Sequence, residues 1–165
     1  MTVNPDNLIE ALRNEMQEYG GLLSLFNDQQ AAILERKPDR VVAMQEAIMR
    51  QVNAINECRK LREQTARSIA EQVGQKPDCT VRALIESCAD VVRPLLHALL
   101  DEVNQLILRT RRRAQQNQML LARSIEVSQQ ILQRINPEAV TKTYSRGGRI
   151  NLSRGAAGSR CLARS

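Results

Sequence analysis

Residues 9–33 read IEALRNEMQEYGGLLSLFNDQQAAI, and their spacing decides the fold. Taking Ile9, Leu12, Met16, Tyr19, Leu23, Phe26, Gln30 and Ile33 in turn, the steps alternate 3, 4, 3, 4, 3, 4, 3, and seven of the eight positions are apolar. A mean step near 3.5 residues is the seam of a helix packed along its length on another helix; a half-buried strand would alternate every second residue instead. Gly20 and Gly21 interrupt the helix-forming sequence, each at a cost of about 1 kcal/mol relative to alanine. They mark either a close helix crossing or a plain local weakness.

Upstream, VNPDNLIEAL is a helix start. Asn4 can cap, Pro5 fits the first helical position, and Asp6 suits the positive end of the helix dipole. Downstream, ERKPDR ends the helix, because Pro38 disfavours helical geometry at Lys37. A second helix is expected from about Asp39 to Val73, with a stripe that includes Val41, Ile48, Val52, Ile55, Ala66, Ile69 and Val73. The same rhythm puts Arg59 and Arg62 on that stripe. Either the helix has projected past its partner there or their alkyl stems snorkel out, or there is a buried ion pair with a facing glutamate. Gly74 is a natural stop, with Pro77 soon after. TVRALIESC forms a single short helix, and a third long helix either starts near Pro94 or is kinked there. That helix continues to about Ile135 and ends at INPE, where Pro137 forbids a smooth continuation.

Long helices joined by short loops lie antiparallel. The expected fold is all-α, an elongated antiparallel bundle of three long helices with one short connecting helix and a flexible C-terminal tail. The division falls at residues 1–136 for the bundle and 137–165 for a flexible basic tail. Composition agrees. Among 165 residues there are two tyrosines, one phenylalanine and no tryptophan, too few aromatics for an aromatic-rich β-sandwich or a nucleotide-stacking pocket.

The net charge of +6 would suggest a nucleic-acid partner if it were spread over the fold. It is not. Lys142, Arg146, Arg149, Arg154, Arg160 and Arg164 face only Glu138 within residues 136–165, so the bundle is almost neutral and the excess sits on the tail. The four cysteines, Cys58, Cys79, Cys88 and Cys161, include no CxxC pair. With His97 as the only histidine, no zinc set has workable spacing. The first residues show no charged n-region followed by an apolar h-region, and no apolar run approaches ~18 residues. The expectation is a cytoplasmic protein with free thiols, no metal and no cofactor.

The third long helix changes character along its length. VVRPLLHALLDEVNQLIL is strongly apolar at helical spacing, RTRRRAQQNQ (residues 109–118) is polar on every face, and MLLARSIEVSQQILQRI is amphipathic again. A second apolar segment beyond a polar gap needs a cover, either another helix of this chain or a partner. Leu121, Ile125, Leu132 and Ile135 fall on one face, the pattern of a helix-in-groove interface. Arg109, Arg111, Arg112 and Arg113 form a solvated face, a rim of contacts to an acidic partner, or a phosphate site. The last is the weakest, because adjacent helical positions fan around the axis and no aromatics are interleaved for stacking. His97 and Asp101, four apart, could pair as an oriented base. No nucleophile is placed nearby and no phosphate loop follows a strand, so no enzyme is read here.

The chain resembles the FlgN-type flagellar export chaperones. The resemblance rests on a long helical hairpin, a third long helix with an Asn-Leu-Leu element in NQMLLARSIEVSQQIL (Asn117 to Leu132), and a tyrosine-glycine element in TYSRGGR (Thr143 to Arg149) within a basic tail. It implies a cytoplasmic chaperone for hook–filament junction proteins of the FlgK/FlgL type. Such a chaperone holds their C-terminal helical segment and delivers it to the export gate of the flagellar type III apparatus. By resemblance the client-binding candidates are Asn117, Leu120, Leu121, Ile125, Ile131 and Leu132, and Tyr144 is the candidate for docking on the gate. A lone tail tyrosine can also simply pack back on the bundle. Two other roles remain in view: a coiled-coil scaffold that self-associates through residues 119–135, and a nucleic-acid accessory protein that uses the tail.

Overall fold

The computed structural model describes residues 5–76 and 78–135, together with the backbone of residues 141–144 and 150–153. Five helices run in order: α1 (Asp6–Leu34), α2 (Pro38–Ala43), α3 (Gln45–Gln72), α4 (Val81–Ile85) and α5 (Arg93–Ile135). Two compact units divide the chain, Met1–Met119 and Leu120–Ser165.

In the first unit α1 and α3 are antiparallel neighbours. Glu15 of α1 meets Arg62 of α3, and Glu18 meets Gln51, so residue numbers rise on one helix as they fall on the other. The core has two parts. One gathers Leu8 and Leu12 of α1, Ala66, Ile69 and Ala70 of α3, Leu84 and Ile85 of α4, Cys88, and Leu96, Leu99, Leu100 and Val103 of α5. Burying each of its large aliphatic side chains contributes about 1.5–3 kcal/mol. The other holds Leu22, Ile48 and Ile55, with Tyr19, Leu25, Phe26, Met44 and Val52 against them, and takes no apolar residue from α5. Thus α5 docks through aliphatic packing near its start and through polar groups further along.

The helix ends follow from local chemistry. Pro5 is the N-cap of α1, without a side-chain hydrogen bond and one residue later than the Asn4 cap expected, and Asp6 lies in the first turn; Asn4 lies outside the described residues. At the other end Arg36 takes a left-handed φ of 57°. The Lys37 N–H donates to the Ala32 carbonyl at 3.0 Å and the Arg36 N–H to that of Ile33 at 3.1 Å, a Schellman closure on a non-glycine residue. Gly74, with φ 69°, closes α3 in the same way, its neighbour Gln75 donating to Ala70 at 2.9 Å. The Thr80 side chain caps α4 by accepting from the Ala83 N–H at 3.2 Å. Pro94 sits in the first turn of α5, so it starts that helix rather than kinking it. Pro77 and Pro137 lie outside the described residues.

Three features depart from the sequence expectation. The second helix comes in two pieces, α2 and α3, that meet at Met44, whose backbone stays right-handed helical. The buried line of α1 runs through Leu8, Leu12, Glu15, Leu22, Gln29 and Ile33; Ile9, Met16, Leu23 and Gln30 are half-buried beside it. A seam chosen by apolar residues alone steps around Glu15 and Gln29, which are polar and buried. Within the expected tail, β1 (Thr141–Tyr144) and β2 (Ile150–Ser153) pair antiparallel, Tyr144 opposite Ile150; the other tail residues lie outside the description.

The two glycines of α1 differ. A Cβ on Gly20 would meet nothing within 4 Å, so Gly20 is a local weakness. One on Gly21 would stand 2.9 Å from Gln51 Nε2. Gly21 leaves room for that amide, which reaches the Glu18 carbonyl at 2.9 Å.

Candidate functional site

The segment of α5 that separates its two apolar stretches is fastened to α1 by polar side chains. Asn117 is buried, and its Nδ2 donates to the Phe26 carbonyl at 2.8 Å and to Gln29 Oε1 at 2.9 Å. Arg113 donates to Gln30 Oε1. Thr110 is buried with its hydroxyl unpartnered, as is Asn117 Oδ1. Arg109, Arg111 and Arg112 are exposed, pointing around the helix rather than along one stripe. The polar run therefore splits into an inner line against α1 and an outer solvated face.

Beyond Met119 the helix continues without a break to Ile135. Leu120 and Leu121 are half-buried. Ile125, Ile131, Leu132 and Ile135 are 55, 52, 57 and 75 % exposed. Four large aliphatic side chains of one helix are thus open to solvent. Among the client-binding candidates, the structure separates Asn117, which is engaged inside the first unit, from Ile125, Ile131 and Leu132, which are open to solvent. Tyr144 stands at the end of β1 in register with Ile150.

The dyad considered at His97 is not made. His97 Nε2 lies 3.0 Å from Glu86 Oε1, and Asp101 accepts from Arg82 at 2.7 Å. Both pairs tie α5 to the α4 region, so the two residues share a helix face without sharing a bond. Cys58, Cys79 and Cys88 are free thiols. Burial pushes the Cys58 and Cys88 thiols above the ordinary range, which disfavours the reactive thiolate. Among the described residues no three His, Cys, Asp or Glu side chains cluster to hold a metal ion, and no helix is long and apolar enough to cross a membrane.

Sequence reasoning missed the buried polar line itself. Glu15, Gln29, Thr110 and Asn117 carry no apolar signal, and only their recurrence at seam spacing on α1 and α5 could have betrayed them. The family described as FlgN protein matches the chain over residues 1–151. No curated protein and no solved structure gives a significant match.

Proposed function

The chain belongs to the FlgN family of flagellar export chaperones, and on that premise we propose that the apolar face of α5 beyond Met119 holds the C-terminal helical segment of a hook–filament junction protein of the FlgK/FlgL type before export. The observation that carries this reading is the exposure of Ile125, Ile131, Leu132 and Ile135 on an unbroken helix. Leu120 and Leu121 border the same surface.

The physics suits temporary custody. An unassembled client segment exposes its own apolar stripe. Covering ~600–800 Å² of apolar surface contributes roughly 15–20 kcal/mol gross at about 25 cal/mol per Å². Ordering the client and losing translational freedom offset most of that gain. The net is binding in the micromolar to nanomolar range, which can be reversed at the export gate. Asn117 serves this surface indirectly, by anchoring α5 to α1 just before the client-binding stretch. Tyr144 docks on the export gate, leaving α5 free to keep hold of the client during delivery.

The test is the Leu121→Asp, Ile125→Asp double variant, assayed for capture of the client segment. It is expected to stay helical and lose binding; wild-type affinity would overturn the proposed surface. Tyr144→Ala is expected to bind client normally and to fail in gate docking.

A further inference from the structure

Two stretches of α5 within the first unit are held to the hairpin by different means. Leu96, Leu99, Leu100 and Val103 are buried in the larger apolar cluster with α1, α3 and α4. The same end is pinned by Arg82, which donates to Asp101 at 2.7 Å, and by Glu86, 3.0 Å from His97 Nε2. From Leu108 to Met119 the apolar side chains are Leu108, Ala114 and Met119. Leu108 and Met119 are exposed and Ala114 is half-buried. The buried residues of this stretch are Thr110 and Asn117, both polar. The hairpin's other apolar cluster, around Leu22, Ile48 and Ile55, takes nothing from it.

The ties of this second stretch are weak on balance. Its hydrogen bonds to α1 are the two from Asn117 Nδ2, to the Phe26 carbonyl and Gln29 Oε1, and the one from Arg113 to Gln30. Water can take the place of each, so the net gain from closing them is small. Against that gain stand two buried oxygens without a partner, Thr110 Oγ1 and Asn117 Oδ1, which opening would hydrate. Lifting residues 108–119 therefore splits no apolar cluster, whereas freeing Leu96 to Val103 dismantles the core. The arginines, glutamines and alanine of the stretch are good helix formers, so it stands as a helix away from the hairpin.

Length turns a small tilt into a large displacement. At 1.5 Å per residue, Asn117 lies about 25 Å along the helix from Leu100. A tilt of about 10° about Leu100 carries Asn117 about 4 Å, enough to part its hydrogen bonds, and moves Leu96 and Val103 by only about 1 Å. We propose that α5 is a lever, held at Leu96–Val103 and lightly fastened at Thr110–Asn117, whose second stretch lifts off α1 as an intact helix while the larger apolar cluster stays folded. Such local opening lies well below global unfolding in free energy. The lift needs no client, so its failure and that of the client surface are read separately.

Thiol labelling tests the lever. Thr110→Cys breaks no hydrogen bond, because the Thr110 hydroxyl has no partner among the described residues. Cys88, buried in the larger cluster, is the internal reference. With Cys58, Cys79 and Cys161 replaced by alanine, alkylation of both thiols by iodoacetamide is followed by peptide mass spectrometry, each rate divided by its rate in the urea-unfolded chain. Thr110→Cys is expected to react at least about 100-fold faster than Cys88, with a rate that rises little in sub-denaturing urea. Adding Asn117→Ala is expected to speed labelling at Thr110→Cys by about tenfold. Equal protection and equal urea dependence at the two thiols, or no effect of Asn117→Ala, overturns the proposal. So does exchange of the backbone amides of residues 111–119 as fast as the thiol reacts, which means a melted helix. Should Thr110→Cys not fold, the Asn117 side-chain amide protons of the unaltered chain report the same event by NMR. Their protection is expected to lie about 100-fold or more below that of the Leu99 to Val103 backbone amides, and equal protection overturns the lever.

Discussion

Arg62 Nη1 donates to Glu15 Oε2 at 2.7 Å across the seam of α1 and α3, with the Glu15 side chain wholly buried and that of Arg62 16 % exposed. Of the two readings open for the arginines on the α3 stripe, the buried ion pair holds for Arg62, while Arg59 is exposed. The pair is incompletely satisfied, since Glu15 Oε1 and Arg62 Nε have no partner. Removing one member leaves a charge in the core, and Arg62→Met is expected to cost about 3–5 kcal/mol at neutral pH. Replacing both by leucine is expected to be far milder, because no orphan charge remains. Denaturant unfolding of the two variants decides between a pair that matters singly and one that does not.

Glu15 also sets a pH dependence. Burial raises its carboxyl above the ordinary range, and the neighbouring Arg62 and Arg59 charges only partly counter it. The folded state therefore holds the proton more tightly than the unfolded chain does. This group's contribution is fullest below the ordinary carboxylate range and declines as pH rises through the elevated one. The stability of wild type relative to Glu15→Gln should fall as pH rises from the ordinary glutamate range toward neutrality. A difference that is flat or rises over that window contradicts the assignment.

Two backbone positions offer stabilising changes. Arg36 sits at a left-handed φ that glycine adopts freely, so Arg36→Gly should raise stability by about 1 kcal/mol. Gly20→Ala should add about 0.5–1 kcal/mol, because its Cβ enters open space on a helix. Gly21→Ala should gain less, since Gln51 must move. Thermal unfolding of the three single variants should rank Gly20→Ala above Gly21→Ala.

Asn117 is expected to act on folding. Asn117→Ala removes one buried and one part-buried hydrogen bond and leaves Gln29 Oε1 without its donor, a loss of about 1–3 kcal/mol. Calorimetric unfolding of this variant beside Ile125→Ala separates the anchoring residue from the exposed one; Ile125→Ala should be close to neutral for stability.

The broad fold was legible because aliphatic periodicity and helix punctuation agree. The α1 rhythm and Gly74 led to the hairpin, while Pro94 left open whether α5 starts or is kinked there, and the structure shows that it starts. What stayed hidden was polar. Hydrophobic periodicity favours Met16 and Leu23 over Glu15 and Leu22, although the seam turns on the latter pair, because a buried glutamate is visible only through the arginine that faces it. The break at Met44 has no glycine or proline to announce it. β1 and β2 are joined across residues 145–149 alone, but the short polar stretches that form them, TKTY and INLS, give little strand signal. At the candidate site, the exposed aliphatics of α5 could be read from spacing, whereas the inward anchoring of Asn117 required the position of α1.

Client binding is proposed for the α5 face beyond Met119. The most direct measurement is residue-resolved NMR of the full chain during titration with the C-terminal helical segment of a hook–filament junction protein. Methyl and amide shifts are expected to concentrate on Leu120, Leu121, Ile125, Ile131, Leu132 and Ile135. Saturable binding that shifts residues of α1 and α3 and leaves these six unmoved would contradict it.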